Sequence, residues 1–480
     1  MTGKKETEPE CHRYRRLKGM YYGPLTQVVL LGFVCFMCPG LFNALNGLGA
    51  GGQGDSTISA NANAAHYATF AFAAFFAGSI NNVLGSKLTL LIGSAGYALY
   101  IGSFLAINIH PNAGGFVVAS GAILGICAGL LWTAQGSLML AYPTESQKGR
   151  YIGIFWTIFN LGGVVGASVS LGQNFRSKSN SVVNGTYIVF LVLTLVGALI
   201  PLLMANPENM VRTDGTKVAS PQHPSWKIGI VGLWTTLRDD PMILLLFPMF
   251  FASNWFYTWQ FNDYNAAVFN IRARSLNNLV YWMAQIVGSL IMGALLDAHT
   301  LRRRVRAFVG WGALFAMVFV VHIWAYFYQR NYTRQSLPPD AVKMDIHNHG
   351  FASRIWLYIF CGVLDAMWQT SAYWMMGALS NDPAKLAYVT GFYKSLQSAG
   401  AAGVWRADGV KRPFMEIFIS TWVLLVVGLV LLLPMIHLRV TDYTEKETLT
   451  RTNKDSEDAA RCSNGLQPHQ AKVMASKNSE

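Results

Sequence analysis

Long apolar runs alternate with short polar segments along nearly the whole chain. Each run has about 20 residues, the length of helix that crosses a hydrocarbon core of about 30 Å. This pattern predicts an all-α integral membrane protein with multiple transmembrane helices. The sequence contains twelve such runs, at 24–46, 64–84, 88–108, 115–141, 150–172, 186–205, 241–262, 277–297, 305–327, 354–380, 386–404 and 413–436.

A segment rich in proline and charge separates the first six runs from the last six, and we interpret it as a linker between two helical bundles. The predicted organisation is an N-terminal tail, a first six-helix bundle, a linker, a second six-helix bundle and a C-terminal tail, at 1–23, 24–205, 206–240, 241–437 and 438–480.

The two halves resemble each other in sequence, which predicts a duplicated six-helix unit. A single chain with two six-helix bundles joined by a central loop has the layout of the major facilitator fold. The two halves of that fold are related by an axis along the membrane normal. Segment 148–167 aligns with 385–404, and 24–47 aligns with 241–264. These alignments place Asn160 opposite Gln397, Gly163 opposite Gly400, Gly166 opposite Gly403, Asn43 opposite Gln260 and Asn46 opposite Asp263.

Charge and composition support the membrane class and predict an orientation. Only 13% of the residues are charged, against about 25% in soluble proteins. The net charge is +13, and most of the lysines and arginines fall on the side of the two termini. The positive-inside rule therefore predicts cytosolic termini, and it explains the basic balance without nucleic acid. Whether the membrane is the plasma membrane or an internal one stays open. The sequons at Asn184 and Asn331 would then face outward as candidate glycosylation sites.

A short motif between the eighth and ninth runs predicts a gate. Gly293 is followed by Asp297 and by three arginines, Arg302, Arg303 and Arg304. The spacing resembles the loop motif that facilitator proteins carry between the second and third helix of each half. The arginines also suit a plain positive-inside anchor. The first-half loop, 81–90, has no matching aspartate.

Several segments together resemble the fungal branch of the "uncoordinated ninety-three" (Unc) family, within the major facilitator superfamily. The resemblance covers roughly residues 20–437 and implies the major facilitator fold. Some animal members of the family regulate a potassium channel or escort other membrane proteins, and fungal members are generally described as candidate transporters. The segments that show the resemblance are PGLFNALNGLGAGG at 39–52, TESQKGRYIGIFWTIFNLGG at 144–163, QFNDYN at 260–265, LNNLVYWMAQIVGS at 276–289, YWMMGALSND at 373–382 and GFYKSLQSAGAA at 391–402.

Polar residues inside the runs are the candidates for a substrate cavity, because they cost free energy in lipid and usually face a cavity or another helix. Aromatic faces with a few amides suit a small organic solute. The same residues also suit interhelical hydrogen bonds or an interfacial aromatic belt. The candidates are Asn43, Asn46, Gln135, Asn160, Gln260, Asp263, Asp365, Trp368, Gln369, Tyr373, Lys394 and Gln397.

Asp365 and Lys394 are the charged pair among these candidates. Counted along their helices, both lie near the middle of the membrane, on consecutive spans. Opposite charges on neighbouring helices offset each other's desolvation. We therefore expect the two side chains to meet, directly or through water. Such a pair either pins the two helices together or is made and broken by binding of a substrate or proton.

The motifs of an enzyme are absent from the sequence. It has no phosphate loop, no HExxH and no paired CxxC, so we predict no catalytic residues, no metal and no cofactor. The leading hypothesis is a secondary transporter of an unidentified small solute, with proton coupling as one option. The alternative is a non-transporting escort or regulator of a membrane-protein partner on the same fold. The sequence leaves substrate, direction and coupling ion open.

Overall fold

The computed structural model describes residues 20–143, 148–207, 210, 212, 216–218, 226–298, 300–379 and 383–440. The predicted tails and much of the predicted linker therefore lie outside the described residues. The described chain is almost entirely helical. Its helices are α1 (Pro24–Gly47), α2 (Thr57–Ile109), α3 (Gly114–Ala141), α4 (Lys148–Asn174), α5 (Asn184–Leu203), α6 (Trp226–Asp239), α7 (Pro241–Ala252), α8 (Thr258–Ala266), α9 (Ile271–Leu296), α10 (Arg303–Gln329), α11 (Phe351–Leu379), α12 (Pro383–Gly409) and α13 (Phe414–Arg439).

Nine helices in the described part of the chain are long and apolar enough to cross a membrane, so the protein is an integral multi-pass membrane protein. One of the nine, α2, has 53 residues and covers two of the predicted spans. It breaks at Gly85, where φ is 75°. Glycine adopts such a φ at little cost, so the second and third predicted spans join there without a loop. The total of twelve spans stays a prediction.

The buried side chains form two hydrophobic clusters that follow the two halves of the sequence. One cluster comes almost wholly from residues before 219, and the other comes mostly from residues after 242. Ile271 joins the first cluster, while Ala60, Ala64 and Ala167 join the second. These exceptions lie where the two halves touch. The arrangement fits two packed bundles, whose sequence limits stay a prediction.

Glycines bring the fifth predicted span of each half against the first span of the same half. A Cβ on Gly162 of α4 would lie 2.4 Å from the carbonyl oxygen of Phe36 in α1. A Cβ on Gly400 of α12 would lie 2.2 Å from the carbonyl oxygen of Phe251 in α7. Helix backbones in membranes approach this closely only where the side chains are small. In both halves, therefore, a glycine of the fifth predicted span lets that helix approach the backbone of the first span closely.

Substituting these glycines gives a sharp test of the packing. Gly162→Ala places a methyl group against a backbone carbonyl, and we expect a loss of about 1–3 kcal/mol in stability, as for overpacked cores. Gly153→Ala, in the same helix, meets nothing within 4 Å, and we expect a gain of about 0.5–1 kcal/mol from helix propensity. Thermal unfolding of both purified variants in detergent measures the difference. Equal unfolding temperatures for the two variants would contradict the close approach of α4 and α1.

One face of the molecule, here called the distal face, is built from the loops 48–56, 175–183, 330–350 and 410–413. Loops of the two halves bond to each other on this face. The side-chain amide of Asn180 donates to two carbonyl oxygens of loop 330–350, at 2.9 and 3.0 Å. The distal face is therefore closed in this structure by contacts between the halves.

Both sequons lie on the distal face but differ in their surroundings. Asn331 is exposed in a turn directly after α10. Asn184 is the first residue of α5, and the sequon hydroxyl of Thr186 is buried and accepts a hydrogen bond from Asn174 at 2.8 Å. Asn331 is therefore the more accessible of the two, and glycosylation stays a prediction.

The loop 330–350 is tied to the second half through backbone and side-chain bonds around Lys343. Met344 bonds to Val268 and Asn270 through its backbone N–H and C=O, both at 2.9 Å. The Lys343 amine is 7% exposed and donates to the carbonyl oxygen of Ala266 at 2.7 Å. Burial lowers the pKa of Lys343 to about 7.

The pKa of Lys343 predicts how stability depends on pH. Above pH 7 the amine is neutral in the folded protein but stays charged in the unfolded chain up to about pH 10. The unfolded state then binds more protons, so stability rises with pH in this window, by at most about 1.4 kcal/mol per pH unit.

Lys343→Gln keeps a donor toward Ala266 but removes the titration. We expect the gap between the unfolding temperatures of wild type and Lys343→Gln to widen in favour of wild type from pH 7 to 9. Lys178→Gln, on an exposed loop residue, serves as the control and should leave a constant gap. A constant gap for Lys343→Gln as well would show that the buried amine does not titrate here.

Candidate functional site

Asp365 lies in the middle of α11 and is fully buried. Its Oδ1 accepts hydrogen bonds from the Tyr257 hydroxyl at 3.2 Å and from the Gln369 amide at 3.4 Å. Its Oδ2 lies 3.0 Å from the Tyr281 hydroxyl and accepts a bond from the Gln285 amide. These neighbours come from the residue directly before α8, from α9 and from α11 itself. Asp365 therefore joins three parts of the second half.

The Tyr281 hydroxyl stands between two acceptors. It lies 2.8 Å from Oε1 of Gln260 and 3.0 Å from Oδ2 of Asp365. A hydroxyl has one proton to donate, so it can satisfy only one of them at a time. If Asp365 is protonated, it donates to Tyr281, which then donates to Gln260. The geometry therefore suits a carboxylic acid as well as a carboxylate.

Asp365 and Lys394 do not contact each other directly in this structure, and the predicted meeting through water stays a prediction. The Lys394 amine donates to Oε1 of Gln397 at 3.0 Å, and it lies over the rings of Tyr393 and Tyr373 at 5.1 and 5.5 Å. Among the described residues, Asp365 forms no ion pair with any cation. Depth along the helices placed both groups near the midplane, but depth does not fix the direction in which a side chain points.

A path of polar side chains connects the two charged groups instead, with Gln369 at its centre. The Gln369 amide donates toward Asp365, and its Oε1 accepts from the Tyr393 hydroxyl at 2.6 Å. Gln397 lies 3.1 Å from the Tyr393 hydroxyl and 3.4 Å from Oε1 of Gln369. Asp365 and Lys394 are thus linked through protein side chains over one turn of α11 and α12.

The two predicted aromatic residues of α11 have different surroundings. Trp368 is fully buried, and its indole N–H donates to the Ser253 hydroxyl at 3.0 Å. It packs α11 against the segment that follows α7. Tyr373 is 38% exposed and faces the Lys394 amine. Of the two, Tyr373 offers more surface to a solute.

The candidates from the first half differ in their burial and contacts. Asn46 is buried and accepts a bond from Asn63 at 3.3 Å. Gln135 is buried, Asn43 is half-buried and Asn160 is exposed. None of the hydrogen bonds between described residues joins these four side chains to Asp365. A substrate cavity shared by both halves stays a prediction.

The residues of the predicted gate contact other partners. Asp297 is exposed as the C-cap of α9, and Arg302 is the N-cap of α10. Arg304 bonds to the backbone carbonyl of His437 at 2.7 Å, near the end of α13. Arg303 is half-buried in the first turn of α10. Arg304 therefore connects α10 to α13 here, and the role of the cluster as a gate stays a prediction.

Asp263 lies at the distal end of α8, away from Asp365. It is fully buried and 3.4 Å from the Arg334 guanidinium, which also bonds the buried Asp408. Its neighbours belong to the distal face, and its place in a substrate cavity stays a prediction.

Two residues that form important polar contacts in this structure were not among the candidates from the sequence: Gln285 and Arg274. Gln285 stands in the apolar run of α9, and that isolated amide was the available signal. Arg274 precedes the predicted start of its span and resembled an ordinary loop arginine. It is fully buried, and its guanidinium donates only to carbonyl oxygens of the first half, those of Leu48, Gly49, Gln53 and Asn180.

Comparison with known proteins identifies the family and the fold. Residues 58–432 match the family described as ion channel regulatory protein UNC-93. An UNC93-like protein of Schizosaccharomyces pombe is 48% identical over 90% of this chain and 86% of its own length. UNC93-like protein 1 of Arabidopsis thaliana is 39% identical over 93% of this chain and 97% of its own.

Solved structures with low sequence identity show the same architecture. A D-xylose-proton symporter matches with a TM-score of 0.59 at 13% identity, over 87% of this chain and 98% of its own. The nucleoside transporter NupG matches with a TM-score of 0.56 at 12% identity, over 86% of this chain and all of its own. The predicted resemblance and fold class are confirmed: the chain belongs to the UNC-93 family and has the major facilitator fold.

Proposed function

We propose that this protein is a secondary transporter of a small solute that works by alternating access and is coupled to protons through Asp365. The observation that supports the proposal most is a fully buried carboxyl group in the middle of a major facilitator fold. Hydrogen-bond donors surround it, and no cation among the described residues pairs with it. A purely structural acid at this depth would be expected to pair with a positive charge.

Neutralisation by a proton is the simplest way to hold this carboxyl in place. An isolated ionised carboxylate in a low-dielectric interior costs several kcal/mol or more. Uptake of one proton removes that cost. It also lets Asp365 donate to Tyr281, which then donates to Gln260 of α8. Loss of the proton turns Tyr281 toward Asp365 and leaves Gln260 without its donor. Protonation therefore changes the bonding between α11, α9 and α8.

Alternating access requires a second state in which the distal face opens. With cytosolic termini, as the positive-inside rule predicts, the distal face is the outer face and this structure is closed to the outside. Opening would break the bonds of Arg274 to the first half and those of Asn180 to loop 330–350. Both sets are hydrogen bonds to backbone carbonyls, which water can replace.

The second candidate function is that of a regulator or escort of another membrane protein. The description of the matched family as ion channel regulatory supports it. The first-half loop also lacks the gate aspartate and is reduced to the break at Gly85. A protein that does not cycle between states has no need of that loop motif.

The transport proposal is tested by separating proton coupling from solute movement. A candidate solute is first sought by measuring which metabolites accumulate in cells lacking the protein, beginning with sugars and nucleosides. Wild type, Asp365→Asn and Lys394→Gln are then reconstituted in liposomes and tested with that solute. Asparagine resembles the protonated acid, so we expect Asp365→Asn to fold and to exchange solute across the membrane. We expect its uptake driven by a pH gradient to fall at least tenfold. Asp340→Asn, an exposed distal residue, is the control.

Three outcomes decide between the candidates. Retention of proton-driven accumulation by Asp365→Asn would exclude Asp365 as the coupling group. Loss of both exchange and folded protein in Asp365→Asn, rescued in the double variant with Lys394→Gln, would favour a structural charge pair. If wild type moves no solute and co-purifies with one membrane protein, the escort function is the better description.

A further inference from the structure

A second buried acidic site lies next to the distal face and shares no hydrogen bond with Asp365 among the described residues. Asp263 lies in the C-terminal half of α8 and Asp408 in the last turn of α12, and both side chains are fully buried. The same guanidinium nitrogen of Arg334, Nη2, contacts both carboxylates, at 3.4 Å from Oδ1 of Asp263. The site thus combines two potential negative charges with one positive charge.

The oxygen atoms of the two carboxylates are not equally occupied. Oδ1 of Asp408 accepts from Arg334, and its Oδ2 accepts from the side-chain amide of Asn262 at 2.7 Å. Oδ1 of Asp263 faces Arg334. Oδ2 of Asp263 is buried and accepts a hydrogen bond from no donor in the described part of the chain. A buried acceptor without a partner is destabilising, and a second uncompensated charge is more so.

We propose that Asp263 and Asp408 form a proton-binding site, in which the pair holds one proton at Oδ2 of Asp263. One proton balances the charge of the site and converts the unpartnered oxygen into a hydroxyl. A metal cation would need several free oxygens, whereas three of the four here already face donors. The guanidinium beside both acids would also repel a metal ion. The site therefore selects a proton.

A surface cavity lies beside the site on the distal side. Gln329, Tyr332, Arg334, Lys411 and Phe414 are among the residues that line it. Arg334 contacts both acids, and the Tyr332 hydroxyl donates to the backbone carbonyl of Asp263 at 3.0 Å. Arg334 and Tyr332 therefore line the cavity and also contact the acidic pair.

Asn262 connects this site to the contacts that close the distal face. Its amide nitrogen donates to Asp408, and its Oδ1 accepts from the backbone N–H of Ala50 in the first half at 2.7 Å. Loss of the proton would place two like charges side by side at the ends of α8 and α12. Repulsion between them would displace Asn262 and weaken its bond to Ala50. Low pH should therefore favour the closed distal face, whether or not the protein transports a solute.

Other ionisable groups near the pair must be separated from it in a test. Lys343 has a pKa of about 7 and bonds to Ala266, at the end of the same helix as Asp263. The charged and titratable groups that face the site from neighbouring segments are Arg330, Tyr332, Arg334, Lys343, Lys411, Arg412 and Glu416.

Distances between two spin labels measure closure directly and need no substrate. Labels are placed at Asn112→Cys in the first half and Asp340→Cys in the second, both exposed residues outside the site. The full-length protein carries Lys343→Gln, Cys11→Ser and Cys462→Ser and is held in lipid nanodiscs without sodium between pH 5.5 and 8.5. We expect the ratio of closed to open molecules to fall with rising pH, by up to tenfold per pH unit, the limit for one proton.

Variants assign the effect to the acidic pair. Asp263→Asn mimics the protonated acid and should stay closed at every pH. Asp55→Asn, on an exposed distal carboxylate that caps Thr57, should behave as the parent. If Asp263→Asn does not fold, Asp263→Glu should keep the transition and move its midpoint. A ratio independent of pH in the parent, or an unchanged transition in Asp263→Asn, would overturn the proposal. So would closure by sodium at constant pH, which would indicate a metal site.

Discussion

The cost of burying a negative charge without a counter-charge governs the functional part of this structure. Asp365 sits in the middle of the second half among hydroxyl and amide donors, and the Asp263–Asp408 pair has one guanidinium for two acids. Donors reduce the cost of a buried carboxylate but do not remove it. Each site therefore has an arrangement that one proton completes. Proton binding is proposed at both sites because each has one more carboxyl group than cations among the described residues.

The contacts that join the halves at the distal face are polar and directional rather than apolar. Arg274 donates only to backbone carbonyls of the first half, and the Asn262 amide links Asp408 to Ala50. Apolar packing is mostly confined to the clusters within each half. Hydrogen bonds can exchange with water at small net free energy, about 0.5–1.5 kcal/mol each. A closed face held in this way can open without disrupting either core.

The sequence predicted what depends on composition and periodicity. The apolar runs predicted the membrane class and the repeated segments predicted the fold, because both patterns can be recognised along the sequence without knowing which residues are in contact. The importance of Asp365 followed from a single charge in an apolar run. Its partner did not, since Lys394 lies at the right depth but points toward Gln397. Arg274 was missed because burial of an arginine at a helix end depends on loops of the other half.

The central claim is that Asp365 is a neutral acid in the closed protein. Infrared difference spectroscopy of the purified protein in lipid measures this directly, because a protonated carboxylic acid has a C=O stretch separate from the carboxylate bands. Comparing spectra of wild type and Asp365→Asn at neutral pH isolates the C=O band of Asp365. The spectrum of Asp263→Asn accounts for the contribution of the distal pair. The account predicts a carboxylic acid band that Asp365→Asn removes and Asp263→Asn leaves in part. Identical acid bands in wild type and Asp365→Asn would contradict it.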